Sequence, residues 1–240
     1  MTDHAAHATS FGRAAGAYER GRPSYPPAAL DWLLPAGRPR VLDLGAGTGK
    51  LTRQIRERGL DVTAVDPSDG MLAELARSVP GVRAHRGAAE RIPLPAGSAD
   101  AVLVAQAWHW FDPARAVPEV ARVLAPGGRL GLIWNVPDER GGWVRRLAEI
   151  VGGPEPDRST EVGPPFGPVE KAAFGWVATV GPERLIDMVA SRSAVILMPP
   201  DERAAVLGEV RRLIATHPDL VGRTEFRLPY VCECARATLQ

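Results

Sequence analysis

The stretch VLDLGAGTGK, residues 41–50, constrains the fold more than any other. Val41, Leu42 and Leu44 surround one acid, Asp43, and glycines follow at 45, 47 and 49. An apolar run this short, ended by glycine, reads as a buried strand. Leu51 and Ile55 then stand four apart with Gly59 as a stop, which reads as a short helix. Open parallel sheets begin with this strand–loop–helix unit and bind ligands beyond the carboxyl ends of their strands. Gly45 and Gly47 carry no Cβ, so the backbone there can approach a ligand closely.

The rest of the chain continues the alternation. LDVTAVD (60–66) reads as a second strand. Ser68 can cap a helix carrying Met71, Leu72, Leu75, Ala76 and Val79 at helical spacing. VRAH (82–85) is a weak third strand, AVLVAQA (101–107) a fourth and RLGLIWN (129–135) a fifth, entered through the turn PGG (126–128). Asp112-Pro113 offers an N-cap and a first-turn proline for a helix with Val117, Val120, Ala121 and Leu124. Pro118 lies inside it and is expected to kink it or delay its start. Strands alternating with helices imply a parallel sheet covered on both faces. Next come a helix bearing Trp143, Leu147, Ile150 and Val151, a Pro- and Gly-rich loop (152–170), and helices near 182–191 and 200–216. FRLPYVCECAR (226–236) alternates and closes the pattern as a strand.

A glycine loop before a helix serves NAD as well as S-adenosylmethionine, and so does Asp66, an acid at the end of the second strand that can accept from ribose hydroxyls. Three details favour S-adenosylmethionine. The dinucleotide fingerprint G-x-G-x-x-G would need glycine at position 50, where Lys50 stands. Asp43 faces the ligand from the strand end and suits an ammonium better than a pyrophosphate. No second glycine-rich element or nicotinamide-site pair is visible.

Composition narrows the partners. The 29 Lys and Arg nearly cancel the 28 Asp and Glu, for a formal charge of +1, which argues against a grip on a long polyanion such as nucleic acid. No run approaches the length of about 18 apolar residues needed to span a membrane. The opening MTDHAAHATS lacks the basic and apolar regions of a secretory signal and reads as a tail. Two cysteines give no disulfide framework, so a cytoplasmic location is expected. Cys232 and Cys234 share a strand face with Phe226, Leu228 and Tyr230, which reads as core thiols rather than metal ligands.

These motifs resemble those of the class I S-adenosylmethionine-dependent methyltransferases, in particular the type 11 group with trans-aconitate methyltransferase-like proteins. VLDLGAGTGK resembles the first motif and VDPSDGML (65–72) the second. GAAERIPLPAGSADAVLVAQAWHWFD (87–112) is similar to the third and fourth, and RVLAPGGRLGLIWN (122–135) to the run into strand five. Segments 11–26, 191–193 and 227–237 resemble the flanking parts, so the likeness covers nearly the whole chain. It implies an α/β, Rossmann-like, mostly parallel seven-stranded sheet with helices on both faces, an N-terminal helical lid, and a helical insertion before the last strand. Residues 1–240 form one methyltransferase domain in this reading: tail 1–10, lid 11–35, cofactor-binding core 36–135, and substrate-side elaboration 136–240.

The resemblance also implies site residues. Asp43 with Gly45, Ala46 and Gly47 would hold the methionine end of the cofactor. Asp66 would hold ribose, with Pro67 and Ser68 shaping the loop, and Met71 would lie along adenine. Ala88, Ala89 and Glu90 would edge adenine; many relatives have Asp where Ala88 stands, so the contact to the adenine amine passes to Glu90 or to a backbone carbonyl. Ala105 and Gln106 would line the floor under the sulfonium. Tyr18, Arg22, Trp108, Trp110 and Asn135 are the substrate-side candidates. S-adenosylhomocysteine would be the product, no metal is implied, and a monomer or homodimer is expected. The implied activity is methylation of a small-molecule acceptor, with oxygen of a carboxylate or phenol as the target. The alternative is a cofactor-binding module, or a non-methylating catalyst, on the same fold. Methyl transfer is an in-line displacement in which the protein mainly aligns reactants and excludes water. A base is therefore optional, and His109 is its candidate; the other reading is a histidine set between Trp108 and Trp110 that caps the next helix.

Overall fold

The structure, a computed structural model, describes residues 19, 21–152 and 158–240. Seven strands form one sheet: β1 (Arg40–Leu44), β2 (Asp61–Asp66), β3 (Arg83–Arg86), β4 (Ala99–Ala105), β5 (Leu124–Pro137), β6 (Glu170–Val180) and β7 (Phe226–Thr238). Their order is β3-β2-β1-β4-β5-β7-β6. The pairs from β3 to β5 are parallel, whereas β7 runs antiparallel to both β5 and β6. The order reverses at β1, where β2 and β4 flank it, and this switch point is where ligands of such sheets bind.

The described helices are α1 (Pro27–Leu33), α2 (Lys50–Glu57), α3 (Asp69–Ser78), α4 (Pro113–Val123), α5 (Gly142–Val151), α6 (Pro182–Ala190), α7 (Ser193–Ile196) and α8 (Pro200–Thr216). Helix α2 starts from Gly49 at φ +87°, a conformation glycine adopts without strain. The Ser68 hydroxyl accepts from the Met71 N–H at 3.4 Å and so caps α3. Asp112 accepts from the Ala114 N–H at 3.1 Å and caps α4, with Pro113 at its first position. Among the described residues no helix is long and apolar enough to cross a membrane.

Three local expectations change. Helix α4 runs unbroken through Pro118. Pro118 and Ala114, the residue four earlier, are both exposed, so water can serve the carbonyl that the missing N–H leaves over. The PGG turn lies inside β5: Ala99 pairs with Leu124 and Ala101 with Arg129, so the turn is taken up as an irregularity in one long strand. Residues 170–180 form edge strand β6, which periodicity did not reveal. Its outward residues include Ala173, Gly175 and Val177, so the contrast between its two faces is muted.

The core has three main parts. Leu42, Val102, Leu132 and Trp134 pack against α4 on one sheet face. Leu30, Leu33 and Ile55 from α1 and α2 cover the other face beside Cys232 and Cys234. Helices α5, α6 and α8 close over β6 and β7 through Trp143, Leu185, Val210 and Leu228. The helical insertion before the last strand thus builds its own apolar layer next to the switch point.

Candidate active site

Asp43 ends β1 with its side chain wholly buried. Oδ2 accepts from the Thr52 hydroxyl at 2.5 Å, while Oδ1 is buried without a hydrogen-bond partner among the described residues. Burial pushes this carboxyl up to about 7; the Thr52 hydrogen bond opposes the shift and the charge of Asp66 adds to it. Its Oδ1 is thus left to accept from a donor outside the described residues, such as the ammonium of an amino-acid ligand.

The glycine loop is pinned from below and open above. Gly45 and Ala46 donate their N–H groups to the Val65 carbonyl at 2.8 and 3.1 Å. Gly45 has φ +73°, and a Cβ there would stand 2.8 Å from the Ala107 methyl, so glycine is required. Gly47 has φ +55°, and a Cβ there would meet nothing within 4 Å. The loop crest therefore faces open space, as a cradle for a ligand must.

Asp66 does more than the sequence suggests. Its Oδ2 accepts from the Gly47 N–H at 2.8 Å and its Oδ1 from the Ser68 N–H at 2.9 Å. One carboxylate thus ties the first loop to the second. Burial raises its pKa, and these two amide bonds oppose the rise. Ser68 and Met71 are buried beside it and Pro67 is exposed. Ala88 bridges to Arg91, Ala89 is buried, and the Glu90 carboxylate accepts from the Asp112 N–H at 2.9 Å. Glu90 is thereby turned toward the start of α4.

At the end of β4, Ala105 and Gln106 are half-buried. Gln106 has φ +57°, the one non-glycine with positive φ among the described residues. Such a residue stays left-handed only where its surroundings fix it. Here its N–H donates to the Ile133 carbonyl at 2.9 Å and its Nε2 to the Asn135 carbonyl at 3.3 Å. A single 3-10 turn, Trp108–Trp110, follows. Trp108 is buried in the core and meets Phe111 edge-on at 5.7 Å. Trp110 and His109 are half-buried, their ring centres 4.8 Å apart. Asp112, not His109, caps α4.

The described part of the N-terminal segment lies across this edge; Tyr18 falls outside the described residues. Glu19 accepts from the Thr48 hydroxyl at 2.7 Å and from Arg53 at 2.8 Å, and its carboxylate is 3.4 Å from Lys50 Nζ. A Cβ on Gly21 would stand 2.4 Å from the Met188 nitrogen, so the chain presses directly on α6. Arg22 donates to the Ser191 hydroxyl and carbonyl, each at 3.2 Å. Tyr25 and Gln54 exchange hydrogen bonds of 2.9 and 2.7 Å. Asn135, expected to face substrate, spends its carboxamide on protein: Nδ2 donates to the Ser24 carbonyl at 2.9 Å and Oδ1 accepts from Trp176 Nε1 at 3.0 Å.

Beside this segment a cleft is lined by Arg22, Lys50, Gln106, Asn135, Arg192 and Tyr230, among others. Three of those six are basic. Burial lowers the Lys50 pKa, and Glu19 opposes the shift. Burial pushes the Tyr230 hydroxyl up to about 12, against the pull of Arg22, Arg192 and Arg184. Its Oη donates to Met188 Sδ at 3.0 Å, and its ring stacks on Trp176 at 5.3 Å. Sequence reasoning missed Glu19, Lys50, Thr52, Met188 and Tyr230. The spacing of Thr52 from the loop was its one signal; the others are set by contacts distant in sequence. Cys232 and Cys234 are buried with their sulfurs 4.0 Å apart, inside the core.

A parallel sheet with a glycine cradle at its switch point, flanked by acids on β1 and β2, defines a nucleoside-cofactor fold of the methyltransferase type. Residues 42–132 match the family model described as a methyltransferase domain. An uncharacterized methyltransferase of Mycobacterium tuberculosis (strain H37Rv) is 60% identical over 233 residues, 96% of either chain. An uncharacterized methyltransferase-like protein of Schizosaccharomyces pombe is 34% identical over 89% of each. A solved structure from Anaeromyxobacter dehalogenans, provisionally designated a Type II methyltransferase, is 26% identical with a TM-score of 0.64, covering 90% of this chain and 97% of that one. The chain belongs to the class I S-adenosylmethionine-dependent methyltransferases.

Proposed function

We propose that this enzyme methylates an oxygen, carboxylate or phenolate, of a small acidic acceptor. The observation that carries the reading is the cleft beside the glycine cradle, where Arg22, Lys50 and Arg192 all contribute to the lining. An anionic acceptor is drawn toward a lining of this charge more strongly than a neutral or cationic one. Asp43 is the residue to receive the cofactor's ammonium, since its Oδ1 is buried with no protein donor. The open side of Gly47 leaves room for the cofactor backbone, and Asp66 is the acid beside the ribose. Pro67, Ser68, Met71 and Ala88 to Glu90 form the adenine side. Bound S-adenosylmethionine supplies an activated methyl group on a sulfonium.

The protein's work is then alignment. Gln106 fixes the floor through its held backbone, and Glu19 with the segment from Gly21 to Tyr25 keeps water from the reacting edge. A carboxylate acceptor arrives ionised and needs no base; a phenol would call on His109. Trp110 borders this edge, and Trp108 supports it from the core. The whole chain acts as one catalytic unit in this reading, as monomer or homodimer, in the cytoplasm. The test is incubation with methyl-labelled cofactor and panels of small carboxylic acids, phenols and amines. Label should move to acids or phenols. Arg22→Ala and Arg192→Ala should raise the acceptor KM by roughly tenfold, the loss of one charge-assisted contact. Transfer to amines alone overturns the proposal.

A further inference from the structure

Asn135 stands where three parts of the site meet. It belongs to β5, opposite Cys232 of β7. Its Nδ2 donates to the Ser24 carbonyl, 111 residues away, at 2.9 Å. Its Oδ1 accepts from Trp176 Nε1 of β6 at 3.0 Å, and Trp176 stacks on Tyr230 in the cleft wall. Its backbone carbonyl accepts from Gln106 Nε2 at 3.3 Å, the side chain of the left-handed residue at the end of β4. Only a carboxamide does all of this at that length: one end must donate to a carbonyl while the other accepts from an indole. A carboxylate could keep the Trp176 bond but would turn oxygen toward the Ser24 oxygen.

We propose that Asn135 is the positioning residue that latches the Gly21–Tyr25 segment to the Trp176–Tyr230 wall and to the Gln106 floor, so that docking of the segment and alignment of the acceptor are one event. This rests on the reading of the cleft as the acceptor site. The latch commits one N–H and one lone pair of the Asn135 carboxamide to protein, so that only the second of each could serve substrate. Neighbouring ties run from Glu19 to the glycine loop and α2, from Arg22 to the end of α6, and from Tyr25 to Gln54. The Asn135–Ser24 bond ties it to β5, between the Gln106 floor and the Trp176–Tyr230 wall, where Tyr25 also packs in one apolar cluster with Ile133.

The test uses the full chain with S-adenosylhomocysteine bound and hydrogen exchange read by mass spectrometry on the peptide covering residues 21–26. Asn135→Asp should raise exchange of that peptide about tenfold, and the uncharged Asn135→Ser about fivefold, each following from one lost hydrogen bond with or without added repulsion. Trp176→Phe removes the other bond and keeps the stack, so it should leave that peptide within about twofold of wild type. Equal loosening by all three variants would mark general destabilisation, and unchanged exchange in Asn135→Asp and Asn135→Ser would mark a bond without consequence; either result overturns the latch. With an acceptor in hand, Asn135→Asp should lower kcat while the cofactor KM stays within about twofold. A fall confined to cofactor binding contradicts the proposal. If wild type labels no acid or phenol while the exchange pattern holds, the acceptor reading falls and the latch stands.

Discussion

Asp43→Asn should stabilise the ligand-free protein at alkaline pH while it destroys cofactor binding. Asp43 is fully buried, and its carboxyl is raised from 3.8 to about 7. Between those values the folded protein holds a proton that the unfolded chain releases. The folded state then binds more protons, so stability falls as pH rises through this window. The contribution is whole below about pH 4 and gone above about pH 7. A shift of roughly three units corresponds to a ceiling of about 4 kcal/mol. Asparagine has the same shape, can still accept from Thr52, and never ionises. Glu119, held down at about 2 by Arg122, shifts in the opposite direction and cancels in the difference, whereas Asp66, which shifts the same way as Asp43, loses its repulsion from Asp43 in the variant and adds to the gain at high pH. The variant should differ from wild type by no more than about 1 kcal/mol near pH 4.5 and exceed it by roughly 2–4 kcal/mol at pH 8. For a chain of this size that is roughly 5–15 °C in Tm. Urea and thermal melts of both proteins at pH 4.5, 6, 7 and 8 decide the matter. A stability difference that does not vary with pH would refute the reasoning, because it would mean that Asp43 has the same protonation in the folded and unfolded states.

Other expectations follow from the same edge of the sheet. Gly47→Val should fold with a loss of roughly 1–3 kcal/mol, because open space surrounds its Cβ but valine resists φ +55°, and should fail to bind S-adenosylhomocysteine; circular dichroism with calorimetric titration checks both halves, and normal binding would put the ligand elsewhere. Asp66→Ala should weaken cofactor binding by roughly 1.5–3 kcal/mol, since it removes an acceptor and unties the Gly47 and Ser68 amides; equal affinities in titration would rule the assignment out. With a carboxylate acceptor, His109→Gln should lower the rate by about tenfold with a flat pH–rate profile. With a phenol, the wild-type rate should fall on the acidic side as the base is protonated and the variant should lose that limb; a carboxylate reaction with such a limb would show His109 working as a base.

The half of the site built from local backbone was legible. Glycines 45, 47 and 49 are there for φ values and for space, which are properties a sequence displays directly. Ser68 and Asp112 announce their helices because a cap is satisfied within three residues. What could not be read is whatever depends on partners remote along the chain. Glu19 gains meaning only from Thr48, Lys50 and Arg53, and Asn135 only from Ser24 and Trp176. Edge strand β6 escaped notice for a related reason: with one face against the insertion helices and the other lined by small or apolar residues, its two sides look alike in sequence. The familiar cofactor motif lies in the first class and the acceptor cleft in the second. A motif held by its own backbone keeps the same residues whatever is methylated. A cleft assembled from the N-terminal segment, α2, the end of β4, β5, α6 and β7 can change its occupant by altering residues that no local pattern binds together. That division explains why the chain declares its cofactor far more openly than its substrate, and it places the decisive experiments at Arg22, Asn135 and Arg192 rather than in the glycine loop.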